Sequence, residues 1–501
     1  MDCMLGIDLG TSALKAAVFD VQGTCIGNSE ATLERISGCS GNRHLHDPRE
    51  WWVKAVAAIR PLLASLDQDY RLRAIACCGF HHVPVFLTGD GQPAFPVIMM
   101  HDPKLPAFRK RLVEDGRLQT LHERTRSFVS DSHLPPIAEA AREEFRQKWH
   151  SVRYLLLAKD YLRYRLTGNI GTEQCDATGT NLIAAAENNW SEELATMLDI
   201  KPEWLPEVHA SIELAGEVLP EAAQELGIRA GVPVCYGGGD SHCALLGLGC
   251  LQDGDSAVLL GTNCTLRAVF DEPLYDPQVR LWQQAHVVPE RWTLSASSLA
   301  GASVVEWSKR ILGKDSTRST GPACASGLFF LPFIHGERCP FYAPDGSGTL
   351  VGLQYKHTAG DILNAAKEGV AFVLRNCQQL LQAIVEAKGH GLHSPVISGG
   401  GSQDTEWVRL IANVLGQSLD RAEGSHAGCL GSAMIAATGA GIFPDLHEAA
   451  RKMACSRDTI CPVAAKARQF DRYYEQFKNL LETYAYTNCK GTYPCNRKPP
   501  S

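Results

Sequence analysis

The chain has 501 residues, of which 45% are hydrophobic and 21% charged, with a formal net charge of −7. That length exceeds what one hydrophobic core supports, so two or three domains are expected. An acidic balance without a membrane-length apolar run or a basic-then-apolar leader excludes nucleic-acid and membrane-surface roles, and leaves a cytoplasmic protein that can still hold phosphate on local backbone N–H groups.

Along the chain, residues 4–19 read as strand, tight turn and strand around Leu9-Gly10-Thr11-Ser12. Residues 47–66 have helical spacing, with Trp51, Ala55, Ile59 and Leu62 apolar. Residues 73–78 form a short strand ending at Gly79, and residues 151–167 read as one helix stopped by Gly168. A strand at 232–236 runs into Gly237-Gly238-Gly239-Asp240. The turn Asp253-Gly254-Asp255 then divides a first domain, 1–250, from a second, 256–445. The second half repeats the order of the first. A hairpin at 256–270 carries Leu260-Gly261-Thr262, helices are expected at 299–311 and 362–387, and Val396-Ile397-Ser398 enters Gly399-Gly400-Gly401 before a helix from about 404 to 415. A small-residue helix at 429–439 follows, then a helical segment at 446–487. The tail at 488–501 reads as disordered. The 18 cysteines are scattered without a CxxC pair and read as reduced, buried small hydrophobes.

The twin Leu-Gly-Thr turns, about 250 residues apart, predict two α/β halves built alike and facing one cleft. Asp8 ends a strand beside the first turn. Such a carboxylate suits a Mg²⁺ ion lying between it and phosphate, with Gly10 allowing close approach and the Thr11 and Ser12 hydroxyls as donors. Taken alone, Asp8 reads equally well as a capping residue of a plain turn. Asp240, at a strand end behind three glycines, suits a base that accepts the proton of an attacking hydroxyl, or an ordinary helix N-cap. The glycines at 399–401 match neither GxGxxG nor GxxxxGK[ST].

Together these residues resemble one family from about residue 4 to about 445: the FGGY carbohydrate kinases, and the xylulokinase branch most of all. Gly6-Ile7-Asp8-Leu9-Gly10-Thr11-Ser12 with Lys15 is similar to the family's first phosphate motif, and Leu260-Gly261-Thr262 to its second. Gly237-Gly238-Gly239-Asp240 is similar to the catalytic motif. The stretch from Ser398 to Gly401, with Thr405, Trp407 and Ala412, resembles the adenosine motif, with Gly400 and Gly401 against the nucleotide and Gly301 on its other side. The resemblance implies a two-domain actin-like (ribonuclease H-like) ATPase fold with an interdomain cleft. It implies ATP and Mg²⁺, with Asp8 holding the metal through water and Asp240 as base. It also implies transfer of the γ-phosphate to a sugar hydroxyl, foremost D-xylulose to D-xylulose 5-phosphate, and a homodimer as the usual assembly.

At the sugar site the match thins. Gly79-Phe80-His81-His82-Val83 stands where Met-His-Gly is usual, with His81 at the place of the methionine and His82 at that of the histidine, and Met100-His101-Asp102 where Trp-Asn-Asp is usual, so His81, His82 and Asp102 are the expected sugar contacts. No Cys/His/Glu spacing completes a zinc site. The altered lining leaves another ketose, a polyol or an aldonate as alternative acceptors. A different class, an actin- or chaperone-like ATPase or a sugar sensor without turnover, conflicts with the intact Asp8, Asp240 and both Gly-Thr turns.

Overall fold

The computed structural model describes residues 1–36, 43–67, 69–185, 187, 189–313, 321–423 and 426–488; the tail expected to be disordered lies outside them from residue 489 on. The first sheet is built from β1 (Asp2–Leu9), β2 (Ala13–Asp20), β3 (Cys25–Thr32), β4 (Arg71–Gly79), β5 (Leu214–Glu217) and β6 (Pro233–Gly239), in the order β5-β6-β4-β1-β2-β3. The second is built from β7 (Ser256–Leu260), β8 (Cys264–Phe270), β9 (Trp282–Ala285), β10 (Trp292–Ser298), β11 (Val396–Ser398), β12 (Leu419–Ala422) and β13 (Arg457–Ile460), in the order β9-β10-β8-β7-β11-β12-β13. Both sheets share one plan. Three antiparallel strands (β1, β2, β3; β7, β8, β10) are extended by two strands parallel to the first of them (β4, β6; β11, β12). This repeated topology is why the Leu-Gly-Thr string occurs twice: each copy is the β-turn between the first two strands of a sheet.

The period-2 alternation of β1 decides what each face meets. Leu5, Ile7 and Leu9 pack with Trp51 and Ile59 of α1 (Pro48–Ala64) and Leu162 of α2 (Ala158–Thr167). Met4, on the opposite face with Gly6 and Asp8, packs with α7 (Ala427–Gly439). That helix belongs by sequence to the second half, yet it lies on the first sheet and against α3 (Asp240–Gly247). A linear division at residues 250–256 therefore does not describe the packing. The second core gathers around α5 (Ala359–Glu386), where Phe372 meets Phe470, Tyr474 and Phe477 of α8 (Ala464–Asn488). The remaining helices that frame the site are α4 (Ala302–Leu312) and α6 (Thr405–Leu415).

Two sequence expectations need correction. Residues 151–167 are not one helix: Val152–Leu157 is a strand, paired antiparallel with Pro84–Thr88, and only α2 is helical. The run Val-Arg-Tyr-Leu-Leu-Leu fits a buried strand as well as a helix, and pairing decides. Residues 446–487 are not a separate helical segment either, since β13 closes the edge of the second sheet and α8 joins its core. Among the described residues no helix is long and apolar enough to cross a membrane.

Candidate active site

Register places the chemistry. Parallel pairing sets Asp8 opposite Cys78 and Leu9 opposite Gly79 in β4, and Gly239 of β6 opposite the same Gly79. Asp8, the Phe80-His81-His82 turn and Asp240 therefore emerge side by side at the carboxyl ends of three parallel strands, where open α/β sheets bind ligands. A cavity of about 230 Å³ opens there. Thr11 from the first hairpin and Asn263 from the second line it together with His81, His82 and Asp240, so the two halves contribute to one cleft.

Asp240 is the first residue of α3, and its side chain keeps 36% of its exposure. Oδ1 accepts the Ser241 N–H and lies 3.2 Å from His81 Nε2. Poor solvation in the cleft pushes the carboxyl above its ordinary 3.8, against the opposing pull of His81 and Arg267. The glycine before it has a specific purpose: a Cβ on Gly239 would sit 1.8 Å from His81 Cε1. Asp8 carries the second carboxylate. Burial, reinforced by the charge of Asp240, pushes it up to about 6, and its Oδ1 is buried without a hydrogen-bond partner. An orphaned oxygen on one of two neighbouring carboxylates is the donor set a hard divalent cation requires, so the residues fit Mg²⁺.

His81 and His82 rest on a buried ionic cluster. His82 adopts φ 63°, and its N–H donates to Asp176 Oδ1 at 3.2 Å. The same oxygen lies 3.6 Å from His81 Nδ1 and 3.7 Å from His82 Nδ1. Asp176 in turn faces the Lys159 ammonium, fully buried and also paired with Asp160 at 2.7 Å and Glu173 at 3.3 Å. His81, His82 and Asp176 come close enough to hold a metal, but the lysine already supplies the cation. Burial holds His82 and His133 as neutral imidazoles, the latter pushed down to about 3.

The expected residues do not all meet. Met100 lines the cavity, but Asp102 does not: its side chain is fully buried, bonded to Arg43 at 2.7 Å and to the His44 and Lys104 N–H groups. It orders the wall and is not placed to touch a sugar. Gly10 closes the first turn through its N–H to the Ala13 carbonyl, Ser12 is exposed at that turn, and Lys15 is the register partner of Asp8. At the second turn, the Gly261 carbonyl accepts from Ala302 N–H and the Thr262 carbonyl from Ser303 Oγ, which seats Gly301 and the start of α4 against the hairpin. Gly400 is open, whereas Gly401 is buried against Leu260. The Thr405 hydroxyl accepts from Arg421 within its own domain, at 2.8 Å.

Sequence reasoning missed the wall contributed by the second sheet. Thr265 and Arg267 of β8, Ser295 and Ser297 of β10, and Trp282 and Gln284 of β9 all line the cavity. Register pairs Arg267 with Ser295, Thr265 with Ser297 and Trp282 with Ser295, so the six share one sheet face. The signal was present as polar residues at alternate positions in otherwise apolar strands. His242, Asp176 and Lys159 were given no role at the site from the sequence.

The profile of the FGGY family of carbohydrate kinases, N-terminal domain, matches residues 3–247, and that of its C-terminal domain residues 256–440. The chain is 28% identical over 489 residues to the xylulose kinase of Escherichia coli (strain K12), covering 95% of this chain and 98% of that protein. Among solved structures, a xylulose kinase from Brucella ovis superposes with a TM-score of 0.88 at 26% identity, over 97% of this chain and all of that one. A gluconate kinase from Lactobacillus acidophilus superposes at 0.89 and 20% identity over 98% and 100%, a likeness of fold alone. With two-domain structures of this kind as neighbours, the architecture is the actin-like α/β fold, and the chain belongs to the FGGY family of carbohydrate kinases.

Proposed function

We propose that this carbohydrate kinase transfers the γ-phosphate of MgATP to a hydroxyl of D-xylulose, giving D-xylulose 5-phosphate and ADP. One observation carries the chemistry: Asp8 and Asp240 leave the same sheet edge, Asp240 into a cavity that both halves line and Asp8 with a buried, unpartnered Oδ1. The choice of ketose is supported by full-length likeness to xylulose kinases.

In this reading Asp240 accepts the proton of the acceptor hydroxyl and aims its oxygen at the γ-phosphorus. His81 steadies the carboxylate from 3.2 Å and, with Ser241 Oγ on the same nitrogen at 2.7 Å, keeps one rotamer in use. The Gly10-Thr11-Ser12 and Gly261-Thr262 turns hold phosphate oxygens from the two sides, with Lys15 beside the first. Gly301 and the Gly400-Gly401 turn, with Thr405 behind it, flank the nucleoside. Asp8 would hold Mg²⁺, which neutralises phosphate charge when bound. The 15 cysteines of the described region are all free, which suits a cytoplasmic protein.

The test is a coupled ADP assay over D-xylulose, L-xylulose, D-ribulose, D-fructose, erythritol and glycerol. D-Xylulose should give the highest kcat/KM. Equal ADP release with and without acceptor would remove the kinase reading, and a better acceptor elsewhere in the panel would replace the substrate.

A further inference from the structure

Gln284 carries an amide whose two ends cannot be exchanged. It sits on the edge strand β9, is 2% exposed and lines the acceptor cavity. Its backbone is held within its own sheet and across the cleft: Gln284 is the register partner of Thr293 in β10, and the next N–H, that of Ala285, donates to Thr178 Oγ1 of the first half at 3.0 Å. Arg267 Nη1 lies 3.1 Å from Gln284 Oε1. Burial pulls the Arg267 guanidinium down to about 10 against the opposing charge of Asp240, so at neutral pH it can only donate. Turning the amide over would set two donors against each other at that distance. The carbonyl oxygen of Gln284 therefore faces Arg267, and its NH₂ group faces the first half, where Nε2 lies 3.4 Å from His82 Nε2.

His82 is fixed in turn. Burial holds it neutral, with one proton for two nitrogens. Nδ1 faces Asp176 Oδ1 at 3.7 Å and Nε2 faces the Gln284 NH₂ group, so the proton belongs on Nδ1 and Nε2 is an acceptor. A contact of 3.4 Å is long for a hydrogen bond, which leaves the Gln284 donor and the His82 lone pair weakly used beside a cavity that both residues line. Adjacent oxygens of an α-hydroxyketone offer the matching pair: a carbonyl that only accepts and a hydroxyl that donates. A secondary alcohol in place of the carbonyl brings a proton to a spot bordered by the donors of Gln284 and Arg267, where nothing takes it. The place along the cavity also fits. His82 stacks on His81 with ring centroids 4.9 Å apart, and His81 Nε2 is 3.2 Å from Asp240 Oδ1. The Gln284–His82 pair thus lies one stacked ring from the base, where the far part of an acyclic acceptor falls when its terminal hydroxyl meets Asp240.

We propose that Gln284 is a specificity-determining residue of the acceptor site: its Nε2 N–H donates to the carbonyl oxygen of an α-hydroxyketone while His82 Nε2 accepts from the neighbouring hydroxyl, and Arg267 is the positioning residue that sets which way the amide points. This rests on the ketose reading above and adds to it the group that tells a ketose from the polyol of the same length.

The experiment compares D-xylulose with xylitol and D-arabinitol, its two C2-reduced forms, by coupled ADP release and by calorimetric binding, in wild type, Gln284→Leu and Gln284→Glu. If another ketose of the panel is used better, it is compared with its own reduced forms. Wild type should favour the ketose over both polyols by at least about thirtyfold in kcat/KM. Gln284→Leu removes the donor and should lower kcat/KM for the ketose about 10–100-fold while changing that for the polyols less than about threefold. Gln284→Glu keeps the shape but presents only acceptors, so its ketose preference should be lost as well. Arg267→Met frees the amide to turn and should reduce the preference in wild type but not further in Gln284→Leu, a dependence that a merely structural arginine would not show. Equal losses on ketose and polyols in Gln284→Leu, or a wild type that uses the polyols as well as the ketose, overturn the proposal and leave the kinase reading standing. If no acceptor of any kind is phosphorylated, the kinase reading fails and binding alone decides: preferential ketose binding that disappears in Gln284→Leu supports the proposal, and ketose binding that is absent or unaltered refutes it. If the leucine variant does not fold, Gln284→Glu carries the comparison: a lost preference supports the proposal, and a preference kept within about threefold overturns it.

Discussion

Lys159→Met tests whether the site depends on its buried ionic support. The ammonium is fully buried and touches three buried carboxylates, Asp160 at 2.7 Å, Glu173 at 3.3 Å and Asp176 at 3.7 Å. Removing it leaves Asp160 the guanidinium of Arg163, whose Nε is 3.7 Å away, and takes the lysine cation from Glu173 and Asp176. Breaking a buried pair by deleting one partner costs about 3–5 kcal/mol. For a domain of this size that is a Tm lower by roughly 6–20 °C. Lys159 is the main charge drawing the Asp176 carboxyl down, and it opposes the burial that pushes Glu173 up. Without it both carboxyls move upward in the folded state, which then binds protons more tightly than the unfolded chain. The stability of the variant consequently falls as pH rises from about 4 toward 7, and the deficit against wild type is larger at pH 7.5 than at pH 5. Calorimetry and urea unfolding at both pH values measure this. A deficit below about 1 kcal/mol at pH 7.5, or a larger deficit at pH 5, would refute the reasoning.

Three further changes separate roles at the site. Asp240→Asn keeps the shape of the side chain, so MgATP affinity by calorimetry should stay within about threefold while kcat falls about 10²–10⁴-fold. In the wild type only ionised Asp240 is a base, so kcat/KM should be lost as pH falls through a value above 3.8, and an acid limb at or below 3.8 would contradict the poor solvation of the cleft. Gly179→Ala puts a Cβ 2.1 Å from His82 Cε1 and 2.2 Å from Gln284 Nε2; the KM for the acceptor should rise at least tenfold with that for ATP little changed, and an unaltered acceptor KM would place the sugar elsewhere. Asp102→Asn should cost about 3 kcal/mol of stability through the broken Arg43 pair; a loss confined to acceptor KM would restore Asp102 to the sugar site.

The sequence made the scaffold and the acidic edge readable because both rest on local signals. The twin turns, the apolar strands around them and the 3.6-period stripe of α5 each carry their own pattern, and Asp8 and Asp240 lie next to the glycines that betray them. What could not be read depends on contacts between distant segments. Asp102 looked like a sugar ligand because it retains the last residue of the Trp-Asn-Asp pattern, but Arg43, 59 residues earlier, takes its carboxylate. Lys159 and Asp176 acquire meaning only when α2 and the turn carrying His82 are brought together. Arg267 sits in an apolar strand, and nothing in its own segment reveals that Gln284 and His242 will be folded against it.

The two halves repeat a backbone plan but not its charges. On the first sheet, β1 and β6 each deliver an aspartate to the edge, and both meet helix starts: Asp240 opens α3, while Asp8 lies close enough to the start of α7 that a Cβ on Gly428 would approach its Oδ2 to 3.1 Å. Positive helix ends ease the crowding of two carboxylates, yet Asp8 remains pushed up to about 6, so the edge is short of positive charge until a cation arrives. The second sheet answers with neutral hydroxyl and amide groups and one arginine across the cleft. In the proposed reading, duplication accounts for the paired phosphate-side turns, and divergence sets the proton-accepting carboxylate on one wall and a polar, largely neutral lining on the other. Exchanging groups on the second wall should alter which alcohol is used without removing the capacity to transfer phosphate, whereas exchanging either aspartate should remove transfer for every acceptor.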